Sequence, residues 1–135
     1  MEWQKDGYLI SDDMEKINLD RVKELLDQTY WANDRTVEII AKTLERSFCL
    51  GLYKGDEMLG FARVVTDETV FTWLCDIVID EPCRGQGLGD WFVQCLVEHP
   101  RIKGTRMHLA TRVNSLYEKY GFERFEAMRK FPSGN

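Results

Sequence analysis

Residues 78–90 have the sequence Val-Ile-Asp-Glu-Pro-Cys-Arg-Gly-Gln-Gly-Leu-Gly-Asp: an apolar run, three alternate glycines and the start of an amphipathic segment. Gly85, Gly87 and Gly89 have no Cβ atom, so a ligand can approach their backbone closely. A helix after this turn would present free N–H groups and the positive end of its dipole. Arg84 adds a planar set of donors suited to phosphate oxygens. The pattern therefore predicts a strand, an anion-binding turn and a helix.

Two familiar phosphate-binding motifs do not fit this turn. A Walker loop needs Lys and then Ser or Thr after its last glycine, whereas Asp90 and Trp91 follow Gly89. A dinucleotide-binding motif lies near the start of a β-α-β unit, whereas this turn lies beyond the midpoint of the chain. Residues 84–89 (Arg-Gly-Gln-Gly-Leu-Gly) instead resemble the acyl-CoA pyrophosphate loop of the GNAT superfamily of N-acetyltransferases, Arg/Gln-x-x-Gly-x-Gly/Ala.

A second motif supports this resemblance. Residues 116–122 (Leu-Tyr-Glu-Lys-Tyr-Gly-Phe) are similar to the late helix and Gly-Phe turn of the same superfamily. The resemblance covers nearly the whole chain, because the order and length of the predicted elements also fit. It implies an N-acetyltransferase that uses acetyl-CoA as co-substrate and acetylates an amine by direct attack in a ternary complex.

Apolar spacing predicts ten elements within one domain, residues 1–135. The predicted strands are 8–11, 48–53, 58–66, 70–79, 106–111 and 123–129. The predicted helices are 22–30, capped by Asn18 or Asp20, then 37–44, 88–96 and 113–120. The order β-α-α-β-β-β-α-β-α-β predicts an α/β domain, with a mixed, mostly antiparallel sheet flanked by helices. This order matches the GNAT fold.

Composition excludes several classes of protein. The polar N-terminus shows no signal peptide, and no apolar run approaches the roughly 20 residues of a membrane helix. The four cysteines form no Cys-x-x-Cys pair, so we expect reduced thiols, no metal, no membrane and a cytoplasmic protein.

Charge gives two further expectations. The net charge of −5 argues against nucleic acid as a partner and mildly favours a cationic amine as acceptor. A polyanionic cofactor would then need local positive charge, which Arg84, Arg112, Lys119 and Arg124 could supply.

The resemblance implies specific contacts with the cofactor. In the superfamily, the pantetheine arm pairs with the strand before the glycine turn, and the pyrophosphate meets the backbone of the turn. The implied cofactor-binding residues are Ile77, Val78, Ile79, Arg84, Gly85, Gln86, Gly87, Leu88, Gly89 and Asp90. The alternative is a tight turn that binds no ligand.

Tyr117 is the candidate general acid. It occupies the position where many GNAT enzymes place a tyrosine near the cofactor sulfur, and its hydroxyl could assist the departing thiolate. A packing role is the alternative. The implied oxyanion donor is a backbone N–H of the long strand, assigned here to Val78.

The general base is less clear from the sequence. Strict alternation along the long strand places Leu74, Asp76 and Val78 on one face. Asp76 is therefore a carboxylate in an apolar run and a candidate base, although a structural role paired to an arginine is equally open. Some relatives carry the acid one position earlier, which is Cys75 here. His108 is the second candidate.

The chain departs from the family at one cofactor position, where the usual asparagine is Ala110; Asn114 and Arg112 stay open as substitutes. Aromatic residues Trp31, Phe71 and Trp73 could line the acceptor pocket, or they could belong to the core. A small-molecule amine is the favoured acceptor. A non-catalytic acyl-CoA-binding sensor is the alternative function, and a homodimer is an open expectation because GNAT domains often form dimers.

Overall fold

The computed structural model describes residues 1–133, which form a six-stranded sheet in the order β1-β2-β3-β4-β5-β6. The strands are β1 Glu2–Lys5, β2 Tyr8–Ser11, β3 Phe48–Lys54, β4 Glu57–Thr66, β5 Phe71–Ile79 and β6 Arg106–His108. The helices are α1 Leu19–Leu26, α2 Val37–Glu45, α3 Leu88–Glu98 and α4 Asn114–Glu118. Neighbouring strands are antiparallel except for the parallel pair β5–β6. The predicted mixed, mostly antiparallel α/β fold is confirmed.

The sheet separates two hydrophobic cores. On one face α3 packs through Phe92 against a group that includes Leu50. On the other face α1 and α2 pack through Val22 and Ile40 against a group that includes Cys49. Because neighbouring strand residues point to opposite faces, Cys49 and Leu50 enter different cores. The central strand β3 is therefore apolar along nearly its whole length.

The first strand was not predicted from the sequence. β1 and β2 form a hairpin, and both residues of its turn have positive φ, 52° at Asp6 and 84° at Gly7. An Asp-Gly pair is a strong signal for such a two-residue turn. Three of the four residues 2–5 are polar, so the strand has no apolar alternation; its one apolar residue, Trp3, packs against the α3 core.

The predicted last strand, residues 123–129, is wrong. Within residues 1–133 no backbone ladder joins this segment to the sheet. β6 has only three residues, fewer than predicted, so it offers few positions for a partner strand. The segment touches the sheet through side chains instead, with the Phe125 ring centroid 5.4 Å from that of His108. The observed order is therefore β-β-α-α-β-β-β-α-β-α.

The first helix is shorter than the apolar spacing predicted. Asn18 is its N-cap, because its side-chain oxygen accepts a hydrogen bond from the Arg21 N–H at 3.0 Å. The helix ends at Leu26, so residues 27–36 form a loop that carries Tyr30 and Trp31 to the sheet. Within residues 1–133, no helix combines the length and apolar character needed to cross a membrane.

Candidate active site

The glycine turn between β5 and α3 presents a row of backbone donors. Gly85 and Gly87 have φ values of 81° and 82°, and a Cβ atom at either would meet no other atom within 4 Å. Within residues 1–133, none of the six backbone N–H groups from Gly85 to Asp90 has a protein acceptor. Free N–H groups at a helix N-terminus are suited to an anion. The turn therefore fits a pyrophosphate group.

Arg84 supports this turn from behind. Its Nε donates to the Ile79 carbonyl at 2.8 Å, and its Nη2 donates to the Gln28 side chain at 3.2 Å. Gln28 also donates to Asp80 at 2.8 Å, and Asp80 accepts a further bond from Arg21. Arg84 thus supplies positive charge and rigidity, with part of its donor set already used. The sequence offered no signal for Gln28, which reaches the turn only through the tertiary fold.

β5 has a free edge beyond its short pairing with β6. The two strands pair only from Phe71 to Trp73, and β5 continues alone to Ile79. On its other edge, the Asp80 N–H donates to the Leu59 carbonyl at 2.8 Å. Backbone groups in an antiparallel pair alternate in direction.

The alternation corrects the oxyanion assignment. The Asp80 N–H points to β4, so the N–H of Val78, two residues earlier and opposite Phe61, also points to β4. The N–H groups of Ile77 and Ile79 point to the free edge. Val78 therefore lacks a backbone donor on the side where a cofactor would lie, whereas Ile77 and Ile79 have one.

A β-bulge also changes the faces of β5. Arg63 lies opposite Asp76, but Val64 lies opposite Leu74, so Cys75 is an extra residue on β5. Leu74 consequently enters the α3 core, while Val78 enters the core under α1 and α2. The prediction that Leu74, Asp76 and Val78 share one face is wrong, because the bulge interrupts the period of two.

Asp76 is fully buried, and its carboxylate accepts hydrogen bonds from three side chains. Trp31 donates from Nε1 at 2.7 Å, Arg35 from Nη1 at 2.9 Å and Arg63 from Nε at 2.7 Å. Burial by itself would raise the pKa of Asp76, but the hydrogen bonds and charges of Arg63 and Arg35 outweigh it and lower the pKa below its usual range. A carboxylate held in this way accepts a proton poorly. The geometry supports the structural role and argues against Asp76 as the base.

Tyr117 and Tyr120 differ in what their hydroxyl groups do. Tyr120 donates to Asp90, contacting both the backbone oxygen at 3.0 Å and the carboxylate. Tyr117 has no hydrogen-bond partner within residues 1–133, although the residue is only 8% exposed. Burial raises the pKa of Tyr117 to about 12, so its hydroxyl is protonated at neutral pH. Of these two tyrosines, Tyr117 is therefore the one whose hydroxyl is free to donate to a ligand.

A cleft of about 1170 Å³ brings Tyr117 and His108 to one cavity. His108 stacks on Trp73 with the ring planes 5° apart, and its Nδ1 lies 3.2 Å from the Thr72 carbonyl. A carbonyl oxygen can only accept, so Nδ1 is the donor, and the lone pair of the neutral ring is then on Nε2. His108 is therefore the base candidate that the geometry favours.

The thiols are not prepared for catalysis. Burial raises the pKa of Cys49 to about 12 and that of Cys95 to about 11, and it also raises the pKa of Cys75. All four cysteines are free. Within the described residues, no group of three or more His, Cys, Asp or Glu side chains could hold a metal ion.

Comparison with known proteins supplies the family. Residues 45–124, more than half of the chain, match the family model described as Acetyltransferase (GNAT) domain. The chain belongs to the GNAT acetyltransferase family. A candidate acetyltransferase of Gibberella zeae is 28% identical over 116 residues, which is 71% of this chain and 66% of that protein. An uncharacterized N-acetyltransferase of Pyropia yezoensis is 27% identical over 87% of this chain and 71% of its own length. The chain spans about two thirds of the length of these curated relatives.

Solved GNAT structures share the fold. A candidate acetyltransferase of the GNAT family from Xanthomonas campestris superposes with a TM-score of 0.87 and 26% identity, over 96% of each chain. A GNAT family acetyltransferase of Elizabethkingia anophelis with acetyl-CoA bound gives a TM-score of 0.70 and 20% identity, over 90% of this chain and 80% of that one. At 20% identity this second likeness shows the fold alone.

The cations predicted to receive the cofactor are spread over this GNAT domain. Lys119 pairs with Asp90 at 3.0 Å, and Arg84 braces the turn. Arg112 lies elsewhere, with its guanidinium carbon 3.6 Å from the ring centroid of Tyr30 in the α1–α2 loop. Arg124 lines the cleft, as does Asn114. Arg112 is therefore better placed to meet an acceptor than to meet the pyrophosphate.

Proposed function

We propose that this GNAT protein transfers the acetyl group of acetyl-CoA to a primary amine by direct attack in a ternary complex, with residues 1–135 acting as one domain. One observation carries the proposal: the free edge of β5 leads from the six unpaired N–H groups of the glycine turn to the cleft of Tyr117 and His108. The family membership and the acetyl-CoA-bound neighbour of the same fold support it. A small-molecule acceptor and a cytoplasmic location stay predictions.

The residues present fit acetyl-CoA. The N–H groups of Gly85–Asp90 and the positive end of α3 would hold the pyrophosphate, with Arg84 adding charge. The amide groups of the pantetheine arm would pair with the outward carbonyl of Ile77 and with the N–H of Ile79, which leaves the N–H of Ile77 free for the acetyl group. The Ile79 carbonyl is occupied by Arg84. Such an arm runs back along β5 toward Trp73, so its thioester would reach the cleft.

The acetyl transfer would use three groups of this chain. The amine nitrogen forms a bond to the thioester carbon, and the N–H of Ile77 donates to the developing oxyanion. The carbon–sulfur bond then breaks, the sulfur leaves with its electron pair, and Tyr117 donates a hydrogen bond to it. The proton lost by the amine goes to Nε2 of His108, directly or through water.

The pKa of Tyr117 indicates how far its proton moves. A hydroxyl with a pKa of about 12 is a weaker acid than a thiol, whose usual pKa is about 8.5. Complete transfer of the proton to sulfur would therefore be uphill by about 5 kcal/mol. We accordingly assign Tyr117 the role of a hydrogen-bond donor that stabilises the leaving thiolate. The proton that finally neutralises the thiolate comes from the amine, by way of His108.

A thiol-release assay tests the proposal. Purified protein with saturating acetyl-CoA is given a panel of primary amines, and free CoA is measured over time. Tyr117→Phe should lower kcat by roughly 10- to 100-fold, the value of a hydrogen bond to a charged group, and should leave the Kd for acetyl-CoA unchanged. Tyr8→Phe, outside the cleft, is the control and should behave as the unchanged protein does.

Three other outcomes of this assay would contradict part or all of the proposal. Unchanged turnover by Tyr117→Phe would remove Tyr117 from the mechanism. Binding of acetyl-CoA without CoA release from any amine would favour the non-catalytic sensor. Absence of acetyl-CoA binding would contradict both functions.

A further inference from the structure

Six side chains in two contact groups, Trp73 with His108 and Asp76 with Trp31, Tyr30 and Arg112, lie near the point where β5 and β6 separate. Trp73 and His108 are the last opposed pair of these strands and stack with centroids 5.8 Å apart. Asp76 lies further along β5 and accepts from Trp31 at 2.7 Å. Tyr30 packs on Trp31 at 5.0 Å and on Arg112, whose guanidinium carbon is 3.6 Å from the Tyr30 centroid. We call this set the acceptor ring: Tyr30, Trp31, Trp73, Asp76, His108 and Arg112.

The acceptor ring lies on the α1–α2 face of the sheet. Leu74 and Met107, the strand neighbours of Trp73 and His108, pack against the α3 core. Trp73 and His108 must therefore point to the opposite face. The α1–α2 loop, which carries Tyr30 and Trp31, reaches the same face, because Trp31 donates to Asp76 of β5. A thioester on the free edge of β5 would thus lie at the base of the ring, and an acceptor would enter through it.

The acceptor ring and the two arginines that bind its Asp76 together carry a net positive charge, although the whole chain carries −5. Asp76 is its only carboxylate and already accepts from Arg35 and Arg63, so two guanidinium groups face one carboxylate. Arg112 adds a third positive charge and is exposed. Asp34, the other acid of residues 30–35, is exposed, and no hydrogen bond or ion pair ties it to the ring within residues 1–133. Within the ring, an ammonium group would find no carboxylate that is not already paired, and the carboxylates of the adjoining cleft are Glu118 and Glu123 on the side of Tyr117.

The ring also exposes flat apolar surface. Tyr30 is 54% exposed and Trp31 is 40% exposed. Phe71 and Phe125 extend this surface, because both contact His108, at centroid distances of 5.0 and 5.4 Å. Aromatic rings that stay open to solvent beside a cleft are suited to stacking on a flat ligand.

We infer that the acceptor is a primary amine on an aromatic body that also carries a carboxylate, and that Arg112 receives this carboxylate. An aromatic amino acid is the simplest molecule of this class. The inference rests on the proposed function and deepens it. It replaces the preference for a cationic amine drawn from net charge. Charges elsewhere on the surface are screened beyond about 8 Å at physiological ionic strength, whereas the Arg112 guanidinium is part of the ring itself.

Four amines test this inference by removing the carboxylate, the ring or both. Phenylalanine has ring and carboxylate, phenylalaninamide lacks the carboxylate, alanine lacks the ring, and putrescine is a plain diamine. Each is titrated calorimetrically into protein saturated with CoA, and each is also assayed for CoA release with acetyl-CoA. Phenylalanine should bind at least about 10-fold more tightly than any of the others, as expected for a charge-assisted contact.

Arg112→Gln should reduce the preference for phenylalanine over phenylalaninamide by about 10-fold in Kd. Arg46→Gln, an exposed arginine at the end of α2, is the matched control and should retain the preference. Equal or tighter binding of putrescine or alanine would overturn the inference and leave the proposed function intact. A preference that survives in Arg112→Gln would overturn the role of Arg112.

The two readouts separate the inference from the proposed function. Tight binding of phenylalanine without CoA release would contradict the proposed transfer while supporting the acceptor class. CoA release with putrescine alone would support the transfer and contradict the acceptor class.

Discussion

Replacing Gly87 by alanine should separate cofactor binding from folding. Gly87 is the N-cap of α3 with φ 82°, and an added Cβ would meet no other atom within 4 Å. The folded protein therefore has room for the methyl group, and the cost to folding is backbone strain alone. The same space is where an anion bound by the turn would lie. Gly7, in the β1–β2 turn, has φ 84° and equally open surroundings, so Gly7→Ala is the matched control.

The expected magnitudes differ for folding and for binding. A left-handed conformation costs a non-glycine residue about 1–2 kcal/mol, so both variants should lose that much free energy of unfolding and about 3–8 °C in Tm. A methyl group that keeps the anion from two N–H donors should cost about 3–6 kcal/mol of binding, since each charge-assisted bond contributes about 1.5–3 kcal/mol. That loss corresponds to a Kd for acetyl-CoA roughly 10²- to 10⁴-fold weaker.

Calorimetric titration with acetyl-CoA and thermal denaturation give both quantities for the unchanged protein, Gly87→Ala and Gly7→Ala. We expect matched losses in Tm and a loss of binding in Gly87→Ala alone. An unchanged Kd in Gly87→Ala, or an equal weakening in Gly7→Ala, would refute the assignment of the turn as the pyrophosphate site.

Three further predictions follow from buried and cleft residues. Asp76→Asn should lower the free energy of unfolding by about 3–5 kcal/mol at pH 7, because it leaves Arg35 and Arg63 without their buried partner. The pKa of Asp76 is lowered in the folded state, so this stabilisation is complete at pH values well above the usual pKa of an aspartate and is lost as the pH falls through the lower, folded value. A difference between the two proteins that does not shrink in denaturation at acid pH would contradict this. His108→Gln should lower kcat by roughly 10²-fold or more with the Kd for acetyl-CoA unchanged, and full activity in a CoA-release assay would remove His108 as the base. Phe92→Ala should lower the free energy of unfolding, measured by chemical denaturation, by about 3–5 kcal/mol. Phe131 is 69% exposed, so Phe131→Ala should change it by no more than about 0.5 kcal/mol. Similar losses in both variants would contradict the burial of Phe92 in the α3 core.

Local patterns predicted most of the fold. Residues 84–90 predicted the turn and α3, because three alternate glycines that follow an apolar run are typical of a turn between a strand and a helix. Apolar spacing likewise predicted β3, β4 and the helices that cover them, since both faces of the sheet are buried. The Asp6-Gly7 pair carried a signal for the first hairpin that a polar strand concealed.

Predictions that depended on distant contacts were less accurate. Residues 123–129 have the alternation of a strand, yet a strand forms only where a neighbour offers a matching edge, and β6 is too short. Asp76 was equally compatible with catalysis and with structure until Arg35 and Arg63, 41 and 13 residues away, were seen to hold it.

The sequence therefore established the family, the glycine turn and the position of Tyr117, because each is carried by residues close together in the chain. Only the tertiary structure showed which backbone donors of β5 are free, which face Asp76 occupies and how Arg112 meets Tyr30. The bulge at Cys75 and the separation of β5 from β6 arise from pairing between strands. The direction of a backbone N–H or a side chain at such a point is set by the partner strand, and no local pattern records it.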